Sequence, residues 1–263
     1  MKKCCIIVPL WKYDLYDYEL LSLKRILNIY NNSNYNIKYD MWFLIPDEFD
    51  INTLLNKYNL SVINYRWAQY EQYFFNSSIT YNKLLYQENF YKMFEKNYKY
   101  ILIYQLDSYI FNEQLLDYFI KKDYDYIGSY ENTIDEYLLD YISSVTNNYD
   151  FKLNTNHYIK MNGGISLRKI SFCIDLLSNS KDFALTIYST DEHLLEEDYY
   201  LSVYLTKEVP AIDSMKFGYS HVCFKTALCV NNYEYPFGCH SISHDRRLMK
   251  YIYEFNEKYN IIL

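Results

Sequence analysis

No Gly-x-Gly-x-x-Gly follows the first apolar run of this 263-residue chain, and there is no P-loop, no Gly-x-Ser-x-Gly elbow and no His-Glu-x-x-His. Their absence removes most of the support for dinucleotide, nucleoside-triphosphate and acyl-transfer readings. Basic residues are in deficit: 26 Lys and Arg against 33 Asp and Glu leave a net charge of -7. A nucleic-acid groove needs a basic surface for phosphates, so nucleic acid is not an expected partner. No stretch approaches the ~18 uninterrupted apolar residues of a membrane span, and no transmembrane segment is expected. The six cysteines include no Cys-x-x-Cys pair, and Cys4 and Cys5 would point to opposite faces of a strand. They read as reduced, buried thiols of a cytoplasmic protein. Lys2-Lys3 followed by Cys4 to Leu10 imitates a signal peptide, but Pro9, Trp11, Lys12 and Asp14 cut the run short and no small-residue cleavage site follows. With no repeat, low-complexity tract or linker, residues 1–263 are expected to form a single domain.

What is present is an ordinary globular composition, half apolar and 22% charged. Tyrosine is abundant at 35 residues, as are Asn, Ile and Lys, all served by A/T-rich codons; the abundance reads as drift in composition, not as function. Short apolar runs alternate with helical spacing, the signature of βαβ units and an α/β fold with a mostly parallel, Rossmann-type central sheet flanked by helices. Strands are expected at Cys4–Leu10, Asp40–Pro46, Ser61–Tyr65, Tyr124–Ile127 and Lys216–Ser220. The most apolar run, Tyr100 to Phe111, reads as a central buried strand. Helices are expected after Asp14, with Tyr16, Leu20, Leu23, Leu27 and Tyr30 at helical spacing, and at Ile51–Tyr58. Thr80–Lys96 should form another, capped by Thr80 with Tyr86, Phe90, Met93 and Phe94 buried. Further helices are expected at Glu113–Lys121, Lys169–Leu177 and Leu194–Thr206, and a C-terminal one carries Leu248, Tyr251, Ile252, Phe255 and Tyr259. Residues 129–156, polar and without Gly or Pro, read as an insertion with one helix around Tyr137 to Val145. Gly163 and Gly164 mark a place where backbone bends or approaches something closely.

Three groups carry candidate chemistry. Asp107 is a lone carboxylate at the carboxyl end of the central strand, where such sheets deliver ligands, and it either binds a metal or caps the next turn. Glu196-Glu197-Asp198 opens a helix. All three suit a helix N-terminus, but the spacing of Leu194, Asp198, Leu201 and Leu205 puts Asp198 on the apolar stripe while Glu197 and Tyr200 point elsewhere. Desolvation there would raise a carboxyl toward the range of a useful base. His240 follows a turn that Pro236 and Gly238 hold in shape, and it is either a metal ligand or a hydrogen-bonding residue.

The order Gln105-Leu106-Asp107, Asn162-Gly163-Gly164-Ile165-Ser166-Leu167-Arg168, Glu197-Asp198, Pro236-Phe237-Gly238-x-His240 resembles the GT-A superfamily of nucleotide-sugar glycosyltransferases. It is closest to a little-characterised glycosyltransferase-like family of surface-polysaccharide gene clusters. The resemblance covers nearly the whole chain apart from the insertion. It implies a hexosyltransferase-like enzyme of inverting type, moving sugar from a nucleotide-diphosphate donor to a hydroxyl on a glycan or lipid-linked glycan. It implies Asp107 and His240 as ligands of Mn2+ or Mg2+, with Gln105 standing where the first Asp of an Asp-x-Asp would be. Asp198, with Glu197, would be catalytic. Pro9, Trp11, Tyr81, Asn82, Gln105, Asn162, Gly163, Gly164 and Arg168 would contact substrate. A lipid-linked acceptor would place the protein at the inner face of the membrane. The Gln105 departure keeps a second reading in play, a non-catalytic nucleotide- or glycan-binding protein on the same fold.

Overall fold

The structure is a computed structural model describing residues 2–32, 35–133, 159–179, 197–220, 235–244 and 246–261. Its first half alternates as expected: β1 (Lys2–Pro9), α1 (Asp17–Asn31), α2 (Tyr35–Lys38), β2 (Tyr39–Pro46), α3 (Ile51–Lys57), β3 (Tyr65–Tyr70), α4 (Ser78–Leu85), α5 (Glu88–Glu95) and β4 (Tyr98–Tyr104). Local chemistry sets these boundaries. Glu19 reaches back to the Tyr16 amide at the head of α1, and Asp50 accepts from the Asn52 and Thr53 amides at the head of α3. The second half is β5 (Tyr109–Ile110), α6 (Leu115–Lys122), β6 (Tyr126–Thr133), β7 (Ile159–Lys169), α7 (Ile170–Asn179), α8 (Glu197–Val203), α9 (Ala211–Phe217), β8 (Gly218–Ser220), β9 (Gly238–His240) and α10 (Arg246–Lys258).

The described strands form one nine-stranded sheet in the order β3-β2-β1-β4-β7-β6-β8-β9-β5. Pairing is mostly parallel; the antiparallel pairs are β4 with β7, β6 with β7 and β5 with β9. Cys4 to Val8 and Tyr100 to Tyr104 are essentially inaccessible, as strands covered on both faces require. The four described cysteines, Cys4, Cys5, Cys173 and Cys239, are free and buried. No described helix is long and apolar enough to cross a membrane.

Several expected boundaries move. The third strand is Tyr65–Tyr70, not Ser61–Tyr65: Asn64 has φ 53, a turn conformation, and the strand lies at the sheet edge with Arg66, Trp67 and Gln69 exposed, so it carries little apolar signal. The Thr80–Lys96 helix is two helices broken at Tyr86-Gln87. Ser77, not Thr80, is the cap; Thr80 is the other member of its capping box. Met93 is 39% exposed, opposite the buried stripe of Phe90 and Phe94. The apolar run from Tyr100 stops at Tyr104, because the chain turns at Gln105–Ser108 before pairing elsewhere as β5. The strand begun at Tyr126 passes through Gly128 to Thr133, and Gly163-Gly164 lies within the long β7. Lys216 and Phe217 end α9, leaving only Gly218–Ser220 as strand. Tyr259 lies beyond α10 and is 51% exposed. The proposed helix at Tyr137–Val145 and the start at Leu194 fall outside the described residues.

Candidate active site

The turn after β4 is braced on three sides. The Ser108 amide donates to Gln105 O at 3.0 Å, the Tyr104 hydroxyl donates to Ser108 O at 3.1 Å, and the Ser108 hydroxyl donates to Gly164 O at 3.2 Å. This fixes Asp107 at the carboxyl end of the sheet. Antiparallel pairing of β5 with β9 sets Tyr109 against Cys239, and continuing that register brings Asp107 alongside residues 240 and 241. Ser241 is left-handed at φ 62, which turns the Ile242 amide back onto Asp107 O at 3.0 Å. Two residues 133 positions apart thus meet: His240 Nε2 lies 3.0 Å from Asp107 Oδ1.

The other ring nitrogen, His240 Nδ1, is 2.9 Å from the Ser241 hydroxyl, which fixes the ring's orientation. Nε2 is buried and faces Asp107. Burial pulls the imidazole pKa down, but the charge of Asp107, then of Asp198 and Glu131, outweighs it and leaves the pKa above the ordinary histidine value. One carboxylate and one imidazole suit Mn2+ or Mg2+ chemically. Their spacing suits it too, since adjacent ligands of an octahedral ion at about 2.1 Å lie about 3.0 Å apart. No cluster of three or more His, Cys, Asp or Glu ligands occurs among the described residues, so the remaining positions would fall to water and substrate.

Across from this pair, α8 presents its first turn. Arg168, fully buried on β7, donates from its guanidinium to Glu197 Oε1 at 2.7 Å, to the Tyr91 hydroxyl at 3.1 Å and to the Ser166 hydroxyl at 3.0 Å. Asp198 Oδ2 accepts the Gly163 amide at 2.9 Å. Both acids are buried, at 5% and 6% exposure. Glu197 and Tyr200 therefore do not point away as the helical spacing suggested; the ion pair with Arg168 draws Glu197 inward.

Between the two groups is a cleft of ≈ 370 Å³, a size suited to a small ligand. Trp11, Tyr81, Asn82, Gln105, Asn162, Gly163, Gly164, Glu197, Asp198 and His240 all line it. Pro9 does not: it is buried at the end of β1 beside Leu44. Arg168 lies beneath the surface, and Asp107 stands at the edge through its contact with His240. Sequence reasoning missed the wall made by Phe75, Asn76, Ser77 and Ser78. The Ser77-x-x-Thr80 capping box would have flagged the helix start there.

The family model described as a protein of unknown function (DUF5672) matches residues 64–240. The chain belongs to the DUF5672 family. No curated protein matches it in sequence. Among solved structures it is similar to the mannosyltransferase Ktr4p from S. cerevisiae in complex with GDP, with TM-score 0.51 and 11% identity over 77% of this chain and 67% of that one. It is also similar to a second structure of the mannosyltransferase Ktr4p from S. cerevisiae, with TM-score 0.50 and 12% identity over 81% and 67%. Identity this low speaks for fold, and the fold of this DUF5672 member is GT-A-like.

Proposed function

We propose that this DUF5672 protein transfers a sugar from a nucleotide-diphosphate donor to an acceptor hydroxyl. The observation that carries the reading is one cleft bordered by a carboxylate–imidazole pair 3.0 Å apart on one side and a buried, anchored carboxylate on the other, in a GT-A-like fold. Mn2+ or Mg2+ held by Asp107 and His240 would offset the donor's diphosphate charge and assist its departure as a Lewis acid. Asp198 accepts the proton of the acceptor hydroxyl as that oxygen bonds to the anomeric carbon. The bond from that carbon to the diphosphate oxygen breaks, and its electron pair leaves with the nucleotide. Displacement from the opposite face inverts the anomeric centre. Arg168 balances the charge of Glu197 beneath the cleft and so holds the head of α8. Trp11, Tyr81, Asn82, Gln105 and Asn162 bind substrate. The acceptor is a glycan or lipid-linked glycan in surface polysaccharide or glycoconjugate synthesis, reached at the cytoplasmic face of the membrane.

A screen of nucleotide sugars by thermal shift with Mn2+ present, beginning with GDP-linked sugars, tests this. A donor that binds only the folded protein raises its melting temperature. Metal-dependent binding that Asp107→Ala abolishes, with slow release of nucleotide diphosphate, supports transfer. Gln105 and the two-residue donor set favour a second reading, a binding protein that retains the fold without turnover; metal-independent binding with no nucleotide release would establish that one instead.

A further inference from the structure

The two glycines of β7 occupy an irregular stretch. On β6, adjacent Gly128 and Ser129 pair with Ser166 and Asn162 of β7, so Gly163, Gly164 and Ile165 bulge with no partner on that side. The bulge is pinned by the segment after β4 and by its own strand: Gly164 O accepts the Gln105 amide at 2.8 Å, and the Gly164 amide donates to Asn162 Oδ1 at 2.8 Å. Consecutive residues of a strand face opposite ways, and each glycine here is pressed by a different half of the site. A Cβ at Gly164 would fall 2.0 Å from His240 Nε2 and 2.2 Å from its Cδ2. A Cβ at Gly163 would fall 2.8 Å from Glu197 Oε1, 3.0 Å from an Arg168 guanidinium nitrogen and 3.2 Å from the Asp198 Cβ. Neither glycine has a positive φ, so neither is required by backbone conformation. What each position requires is the missing side chain.

We infer that Gly163-Gly164 is a double seat: Gly164 receives the flat face of the His240 ring and Gly163 the Arg168–Glu197 pair, so one peptide unit sets the spacing between the ion-holding pair and Asp198. The two glycines are positioning residues, acting through His240 and through the head of α8, instead of contacts to the substrate alone. The imidazole is rigid, and the whole ring would have to swing away from any side chain at 164, carrying Nε2 off Asp107. The role in catalysis rests on the sugar-transfer reading; the seat itself does not.

The test is a thermal-melting cycle of Gly164→Ala, His240→Ala and the double variant. With the imidazole present, Gly164→Ala lowers Tm by about 3–10 °C, the usual range for overpacking in a chain of this size. In the His240→Ala background most of that loss disappears. An equal loss in both backgrounds overturns the seat. If Gly164→Ala is insoluble, a soluble double variant supports the seat and an insoluble one overturns it. Mn2+ titration followed by electron paramagnetic resonance then separates the two glycines. Gly164→Ala weakens Mn2+ about tenfold or more, the size of lesions behind a ligand. Gly163→Ala leaves Mn2+ affinity unchanged while kcat falls at constant donor KM; an equal loss of Mn2+ in both overturns the division of labour. Wild-type protein that binds no Mn2+ would remove the metal reading, and the melting cycle would still decide the seat.

Discussion

The two halves of the sheet are built by different means. From β3 to β4 the interior is largely apolar, and among the described residues before 105 the buried polar side chains other than tyrosine are only Glu19, Ser22 and Arg25. Beyond Gln105 the interior carries Asp125, Arg168, Glu197, Asp198, Asp213 and His240, with buried serines among them. Apolar burial is forgiving, because it is non-directional and scales with area. A buried charge is not forgiving, since removing one partner strands the other away from water. The first half is therefore a platform, and the second holds groups in fixed relation at a cost that the platform offsets.

The largest effect that would sharpen this contrast concerns turnover. Asp198→Asn keeps an oxygen for the Gly163 amide but cannot take a proton, so nucleotide release should fall by about 10²–10⁴-fold while donor affinity and Tm change little. Loss of donor binding in parallel would make Asp198 a structural residue. Next comes Arg168→Met, which strands Glu197 and should cost about 3–5 kcal/mol of stability in urea titration. Adding Glu197→Gln should restore most of it; a double variant as unstable as the single would mean that Arg168 acts by packing. In the platform half, Ile6→Val should cost only about 0.5–1.5 kcal/mol and leave donor binding untouched, and any change in donor affinity would break the comparison.

The same contrast governs what could be read from the chain. β1 and β4 were legible because a strand covered on both faces must be apolar throughout, and Ile6 or Ile103 says so without help. The edge strand β3 was not, because half its residues face water. In the second half the information is non-local. Nothing in the spacing brings His240 to Asp107; a two-residue strand pair does, and only the resemblance pointed to it. The stripe of Leu194, Asp198, Leu201 and Leu205 rightly turned Asp198 inward. It sent Glu197 outward because helical periodicity cannot know of an arginine on a strand elsewhere in the chain. Gly163 and Gly164 were visible as close approaches, but what approaches them is set by β9 and α8.

The smallest effect lies on the seam between the halves. Asp123, left-handed at φ 56 after α6, accepts from the Tyr100 hydroxyl and pairs with Lys99 at 2.9 Å and Lys169 at 3.3 Å, tying the start of β4 to the end of β7. Partial burial alone would raise its carboxyl, but hydrogen bonds from Tyr100, Lys99 and Lys169 hold it far below the usual carboxylate range. A carboxyl that is more acidic when folded adds stability above its unfolded pKa of about 3.9, and that contribution is lost as pH falls through the lower folded value. Its side chain is 44% exposed, so solvent screens the gain and the effect is modest. Asn tolerates the left-handed backbone, so Asp123→Asn should lower stability slightly at pH 7 and flatten its decline below about pH 4, measured by urea midpoints from pH 2 to 7. A variant whose acid limb matches wild type would show that Asp123 does not couple the halves electrostatically, leaving the antiparallel ladder between β4 and β7 to hold them together.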